Sequence, residues 1–161
     1  MSDTGAASEP ADHDVPTEFT GRSLGYQVNL LARMMEQALA ERIRPHGVVP
    51  GQFAQLMSLY ESDGQSVTEL AAAVAIEHST MSRTLARMER DGLVDTRPHP
   101  SDGRSRQIHL TERARELESV LHAEANAVNE SFLATLSPEA AQQLLGLIKS
   151  AVAAGAQRDE D

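Results

Sequence analysis

The sequence predicts a mainly α-helical fold carrying one small β-hairpin. Three observations lead there. Apolar residues recur at three- and four-residue steps through most of the chain. A short helix, a break and a longer helix follow one another between Thr68 and Asp91. Directly after Gly92 the period changes from helical to alternating, and an Asp-Gly pair lies between the two alternating runs.

Between two tails, about six helices and one hairpin are expected. Residues 1–20 carry Asp3, Glu9, Asp12, Asp14 and Glu18 with no basic residue and few aliphatics, and read as a disordered acidic tail. Residues 157–161 read as a frayed C-terminal tail. The first helix runs from about Ser23 to Arg44, with Leu24, Val28, Leu31, Met35 and Leu39 on one stripe. A second stripe holds Leu30 and Met34, so the apolar face is wider than one core contact requires. Pro45, Gly47 and Pro50 end this helix and begin the next, about Gly51 to Glu61, with Phe53, Leu56, Met57 and Tyr60 inward.

Asp63-Gly64 turns the chain, and Thr68 is expected to cap a short helix through Val74. After a break at Ala75 to Glu77 the longer helix spans about Ser79 to Asp91, closed by Gly92. Leu70, Ala71 and Val74 face inward from the short helix, and Met81, Leu85 and Met88 from the long one. Ala71 lets the two helices approach closely. The outer face of the long helix then carries Ser79, Ser82, Arg83, Ala86, Arg87 and Arg90. Small, hydroxylic and arginine side chains on an exposed helix face suit a DNA major groove, where bulk clashes and guanidinium reads guanine edges.

Leu93 to Arg97 and Arg106 to Leu110 read as paired strands around the turn Pro100-Ser101-Asp102-Gly103. The hairpin tip therefore carries Arg104 and Arg106 with Asp102 beside them, as the wing of a winged helix-turn-helix does. Thr111 caps a long helix to about Thr135, with Leu117, Leu121, Val128 and Phe132 on one side. Ser137-Pro138 opens the last helix, which carries Leu144, Leu147, Ile148 and Ala151. The DNA-binding part is thus about 50–110 within a domain of 21–156. The helices at about 22–45 and 112–156 have apolar faces that a second copy of the chain would cover.

Composition bounds the function. At 161 residues one domain is expected. No apolar run approaches the roughly 18 residues that cross a bilayer, and no signal peptide is visible, which together point to the cytoplasm and to no membrane partner. With no cysteine, disulfides, thiolate zinc sites and cysteine redox sensing are excluded. A net charge of −10 argues against nucleic acid only as a total. From His78 to Leu110 six arginines stand against four carboxylates, a local excess of +2.

These residues carry a specific resemblance to the MarR (multiple antibiotic resistance regulator) family over roughly residues 20–155. It rests on Leu70-Ala71, on Ser79-Thr80-Met81-Ser82-Arg83, and on Met88-Glu89-Arg90-Asp91-Gly92-Leu93-Val94. Asp102-Gly103-Arg104 and Ile108-His109-Leu110-Thr111 complete it. The chain departs from the common pattern after Thr111, where many relatives have a glycine and this chain has Arg113-Ala114. The resemblance implies a triangular homodimer built from terminal helices, one recognition helix per subunit in the major groove of a pseudo-palindromic operator. It also implies a wing that inserts Arg104 into a minor groove, where negative potential concentrates, with Asp102 orienting the wing through an arginine.

Ser79, Thr80, Ser82, Arg83, Arg87, Arg104 and Arg106 are therefore the expected DNA contacts, set against the plainer reading of a solvated face. At least one of Ser79, Thr80 and Ser82 is expected to cap the helix and another to touch DNA. Members of the family commonly repress neighbouring genes and leave DNA when a small aromatic or phenolic acid binds. An apolar slot with a cation and a hydroxyl is assigned here to Arg22, Tyr26 and Met57, against ordinary packing. Subfamilies that sense peroxide by cysteine are excluded, and a urate-responsive subfamily marked by a tryptophan is disfavoured, since the chain has neither residue. The six histidines form no metal-ligand spacing, no cofactor is implied, and no catalytic triad, phosphate loop or carboxylate pair stands out. The reading is a DNA-binding regulator, most simply a ligand-released repressor. A ligand-independent regulator, or a winged helix used only for protein association, are its alternatives.

Overall fold

The computed structural model describes residues 22–98 and 106–156. The tails and the hairpin tip, with Asp102 and Arg104, lie outside them. Among the described residues six α-helices and three short strands follow in the order α1 (Leu24–Ile43), α2 (Pro50–Glu61), β1 (Gln65–Ser66), α3 (Val67–Ala73), α4 (His78–Arg90), β2 (Val94–Pro98), β3 (Arg106–Leu110), α5 (Glu112–Leu133) and α6 (Pro138–Ala156). A 3₁₀ turn, Arg44–His46, with Pro45 in its first turn, ends α1 as the Pro-Gly punctuation predicts. The chain divides into two compact units, one ending at Met34 and one beginning at Met35.

In the first unit the beginning of α1 is held by Ser23, whose hydroxyl accepts from the Tyr26 N–H at 3.4 Å. Leu24, Tyr26, Val28, Leu31 and Met34 are all exposed along it.

In the second unit the core is one continuous cluster. Leu56 and Leu59 of α2, Leu70 of α3, the α4 stripe and Ile108 of β3 meet in it, and Leu121 of α5 closes it. Helix α2 buries a different set from the one its periodicity predicts. Leu59, Gln52 and Gln55 are buried beside Leu56, while Phe53, Met57 and Tyr60 are half-buried against the cluster. Gln52 is admitted because both ends of its amide are used: Nε2 donates to Asp91 Oδ2 at 2.6 Å and Oε1 accepts from the Val49 N–H at 3.3 Å. Tyr60 donates its hydroxyl to the Ala114 carbonyl at 2.6 Å. Burial, followed by the negative charge of Glu118, pushes its pKa up to about 12.

The sheet is three-stranded and antiparallel in the order β1-β3-β2. β1 was not expected; two residues are too few to show a period, and pairing of Gln65 with Ile108 defines it. The cap of α3 also differs. Ser66, not Thr68, accepts from the Glu69 N–H at 3.2 Å, and the Glu69 carboxylate accepts from the Ser66 N–H at 2.8 Å. This reciprocal box was legible in Ser66-Val67-Thr68-Glu69, and it wins because it satisfies two free N–H groups where a lone threonine satisfies one.

Thr111 caps α5 as expected, accepting from the Ala114 N–H at 3.1 Å. Ser137 accepts from the Ala140 N–H at 3.2 Å at the start of α6. Helix α6 buries almost nothing: Leu144, Leu145, Leu147, Ile148 and Val152 are all exposed. Among the described residues no helix is long and apolar enough to cross a membrane.

Asp63 ties the turn after α2 to both β3 and α5. It accepts from the Leu110 N–H at 2.8 Å and from Arg115 Nη2 at 2.9 Å, with His109 Nδ1 at 3.6 Å. Burial alone would raise its carboxyl. The hydrogen bonds from Leu110 and Arg115, the proximity of His109 and the Gly64 N–H outweigh that and hold it below the usual range. A carboxylate with a lowered folded-state pKa stabilises fully above its unfolded value, about 3.9, and loses that contribution as pH falls through the folded one. Asp63→Asn should therefore lower the melting temperature at neutral pH and flatten the loss of stability below about pH 4. An acid limb identical to wild type in a thermal-melt series would show that Asp63 is not the titrating tie.

Candidate nucleic-acid interface

The interface is built on α4, and its orientation follows from three residues. Met81, Leu85 and Met88 are buried, at most 5% exposed. With about 100° of rotation per residue, that stripe turns Ser79, Arg83, Ala86, Arg87 and Arg90 to the opposite side and leaves Thr80 and Ser82 on the flanks. All seven are exposed. The helix thus presents three arginines and a small side chain outward on one face.

The expected serine or threonine cap of α4 is not formed. Glu77 occupies the cap position without a side-chain hydrogen bond, because the helix begins at His78, one residue before Ser79. The Ser82 hydroxyl instead donates to the His78 carbonyl one turn back, at 3.0 Å, and keeps its lone pairs outward.

Both helices of the motif end in the same way. After α3 the Ile76 N–H donates to the Ala71 carbonyl at 3.0 Å and the Ala75 N–H to Ala72 at 3.2 Å, with Ala75 at φ 53°. After α4 the Leu93 N–H donates to Met88 at 2.9 Å and the Gly92 N–H to Glu89 at 3.1 Å, with Gly92 at φ 66°. These are Schellman endings, in which a left-handed residue turns the chain sharply away from the helix axis. The first sets the bend between α3 and α4, and the second directs the chain into the wing.

The base of the wing is closed by hydrogen bonds that converge on Asp91-Gly92-Leu93. The Thr111 hydroxyl donates to the Gly92 carbonyl at 2.8 Å, and its N–H donates to Leu93 at 3.1 Å. Arg113 donates one guanidinium nitrogen to the Asp91 carbonyl and another to the His46 carbonyl, the latter at 3.4 Å. Arg113 therefore joins the end of α4 to the turn after α1. Ala114 beside it is fully buried, where any larger side chain would meet the core.

β2 and β3 pair from Val94↔Leu110 to Pro98↔Arg106. Because alternate residues share a face, Arg106 lies on the side that holds Ile108 and Leu110, toward α4 rather than away from it. It lines a cleft of about 250 Å³ with Ser82, Ala86, Glu89 and Thr96. The Thr96 hydroxyl donates to the Glu89 carboxylate, tying β2 to the last turn of α4. On the other face Arg97 lies 3.7 Å from Asp95. The sequence named neither the Glu89–Thr96 tie nor the Arg113 bridge, since both join residues unrelated by any local period.

Of the residues assigned to an effector, Arg22 and Tyr26 are exposed in the unit that ends at Met34. Met57 is half-buried against the core of the other unit. Among the described residues no three His, Cys, Asp or Glu side chains form a group that could hold a metal ion.

A bihelical unit with an outward arginine face, followed by a two-stranded wing folded against it, defines a winged helix-turn-helix protein. Residues 49–105 match the model of the MarR family. MarR-family proteins are DNA-binding transcriptional regulators, not enzymes. The whole fold is likewise that of MarR regulators. It superposes on a MarR transcriptional regulator from Methanosarcina mazei with a TM-score of 0.78 at 24% identity, over 83% of this chain and 96% of that one. A mutant E. coli MarR complexed with operator DNA matches at 0.77 and 20% identity, over 84% and 99%. PcaV from Streptomyces coelicolor, in complex with its natural ligand, matches at 0.76 and 22% identity, over 88% and 99%.

The two Schellman endings make opposite predictions. Ala75→Gly removes the penalty on a side chain at positive φ and should stabilise the protein by about 0.5–1 kcal/mol. Gly92→Ala introduces that penalty and should destabilise it by about 1 kcal/mol. Chemical denaturation of both variants checks this, and a shift of the same sign in both would contradict the assignment of these turns.

Proposed function

We propose that this chain is a cytoplasmic, homodimeric, sequence-specific DNA-binding regulator, most simply a repressor of a pseudo-palindromic operator. The observation that carries the reading is the α4 face, where Arg83, Arg87 and Arg90 point away from a buried stripe and a wing folds back toward the same helix. Arg83 and Arg87 read base edges in the major groove, with Ser79, Thr80 and Ser82 against adjacent bases or phosphates. Arg106 joins them from the base of the wing. Arg104 enters the minor groove from its tip, with Asp102 orienting it.

The second support is what the fold leaves uncovered. Leu144, Leu147, Ile148 and Val152 expose an apolar stripe on α6, and Leu24, Val28 and Leu31 do the same at the start of α1. A second copy covers them and sets two α4 helices on half-sites about one helical turn, roughly 10 base pairs, apart. That the similar PcaV was solved with its natural ligand supports a ligand-responsive regulator; the small aromatic ligand and its contacts Arg22, Tyr26 and Met57 rest on the residue types alone. The exposure of Arg22 and Tyr26 leaves them free for it.

Fluorescence anisotropy on the protein's own upstream DNA at two salt concentrations tests the reading. Wild type should bind tightly and lose affinity with salt. Arg83→Ala and Arg104→Ala should each weaken binding by about 1–3 kcal/mol without lowering the melting temperature. Equal affinity for random DNA in wild type and both variants would leave a winged helix that binds protein instead. Leu147→Glu, at a side chain 63% exposed, should convert the dimer to monomer in sedimentation while leaving the helical content intact.

A further inference from the structure

We infer that Ala86 reads the C5-methyl group of a thymine and so fixes one T·A base pair in each half-site of the operator. The inference rests on the DNA-binding reading above and deepens it. Helical rotation divides the exposed part of α4 into a crest and two shoulders. Ser79, Arg83 and Arg90 form the crest, within about 30° of the line directly opposite the buried stripe of Met81, Leu85 and Met88. Thr80 and Arg87 fall to one side of it, and Ser82, Ala86 and Glu89 to the other. The second shoulder is the one beside the wing. Its three residues line the cleft of about 250 Å³ together with Thr96 of β2 and Arg106 of β3.

The polar groups of this shoulder have no proton to spare for a base. The Ser82 hydroxyl gives its proton to the His78 carbonyl at 3.0 Å, and the Glu89 carboxylate accepts from Thr96. Neither donates to the N7, O6 or O4 acceptors that purines and thymine present in the major groove. Between them Ala86 is exposed and carries a methyl group with no polar atom. Of the four bases only thymine shows a methyl group on that edge. An apolar side chain here therefore distinguishes thymine from the other three by burying that methyl. Size matters as much as polarity. A helix lowered until the Arg83 guanidinium meets a guanine edge brings its shoulder against a neighbouring base. A side chain longer than alanine would hold the helix off, and glycine would leave the thymine methyl uncovered.

Selection of the full-length protein on a random-sequence duplex library supplies the operator for the test. Each thymine of the enriched sequence is then replaced singly by deoxyuridine, which lacks only the methyl group, and affinity is read by fluorescence anisotropy. One thymine per half-site should respond, with wild-type binding weakened about fourfold, the equivalent of one methyl group left unburied. With a C·G pair at that position, 5-methylcytosine should bind tighter than cytosine by a similar factor, which separates methyl contact from the shape of a T·A step. Ala86→Gly should bind the thymine and deoxyuridine operators equally. The deoxyuridine and 5-methylcytosine measurements use wild-type protein, so they stand even if glycine loosens α4, which a melting curve on the variant reports. An enriched operator with no methyl-sensitive thymine, a cytosine indifferent to methylation, or a methyl response that survives in a folded Ala86→Gly would each overturn the inference and leave the regulator reading intact. No sequence enriched over random DNA would overturn both.

Discussion

The burial of Met81, Leu85 and Met88 is the constraint from which the interface follows. A helix has one rotational setting in which those three side chains leave water, and each contributes about 1.5–3 kcal/mol by doing so. Turning α4 by a single residue, about 100°, would bring Arg87 in one direction or Glu89 in the other into the core and strand its charge there. The direction of Arg83, Arg87 and Arg90 is therefore fixed by residues that could never touch DNA. Residues 49–105, the stretch with the MarR-family match, contain this stripe and the partners it packs against in α2 and α3.

The second constraint is the junction at Asp91-Gly92-Leu93. Three separate parts of the chain, Gln52, Thr111 and Arg113, donate hydrogen bonds to it. Its geometry sets where the wing leaves α4, so it couples the helix that faces outward to the hairpin beside it. Thr111 serves twice, closing the wing base with its hydroxyl proton and capping α5 with its lone pair. Arg113 extends the same junction to the turn at His46.

The sequence by itself determined the six helices, the hairpin strands to within one or two residues, the α4 stripe and the outward arginines. Each depends on a local period or a local cap, and such signals are complete within one turn of helix or one pair of strands. The misses are of another kind. The Ser66–Glu69 box caps α3 where Thr68 is the expected cap, and α4 begins at His78 without the expected hydroxyl cap. In α2 the periodicity identified an apolar face but not Leu59 as its centre, nor Gln52 and Gln55 as buried. Only the tertiary structure decided those points, along with β1, the Asp63 tie, the Arg113 bridge and the placement of Arg106 toward α4. All of them join residues far apart in the chain, where burial and hydrogen-bond partners are settled by which surfaces meet, and no local spacing records that meeting.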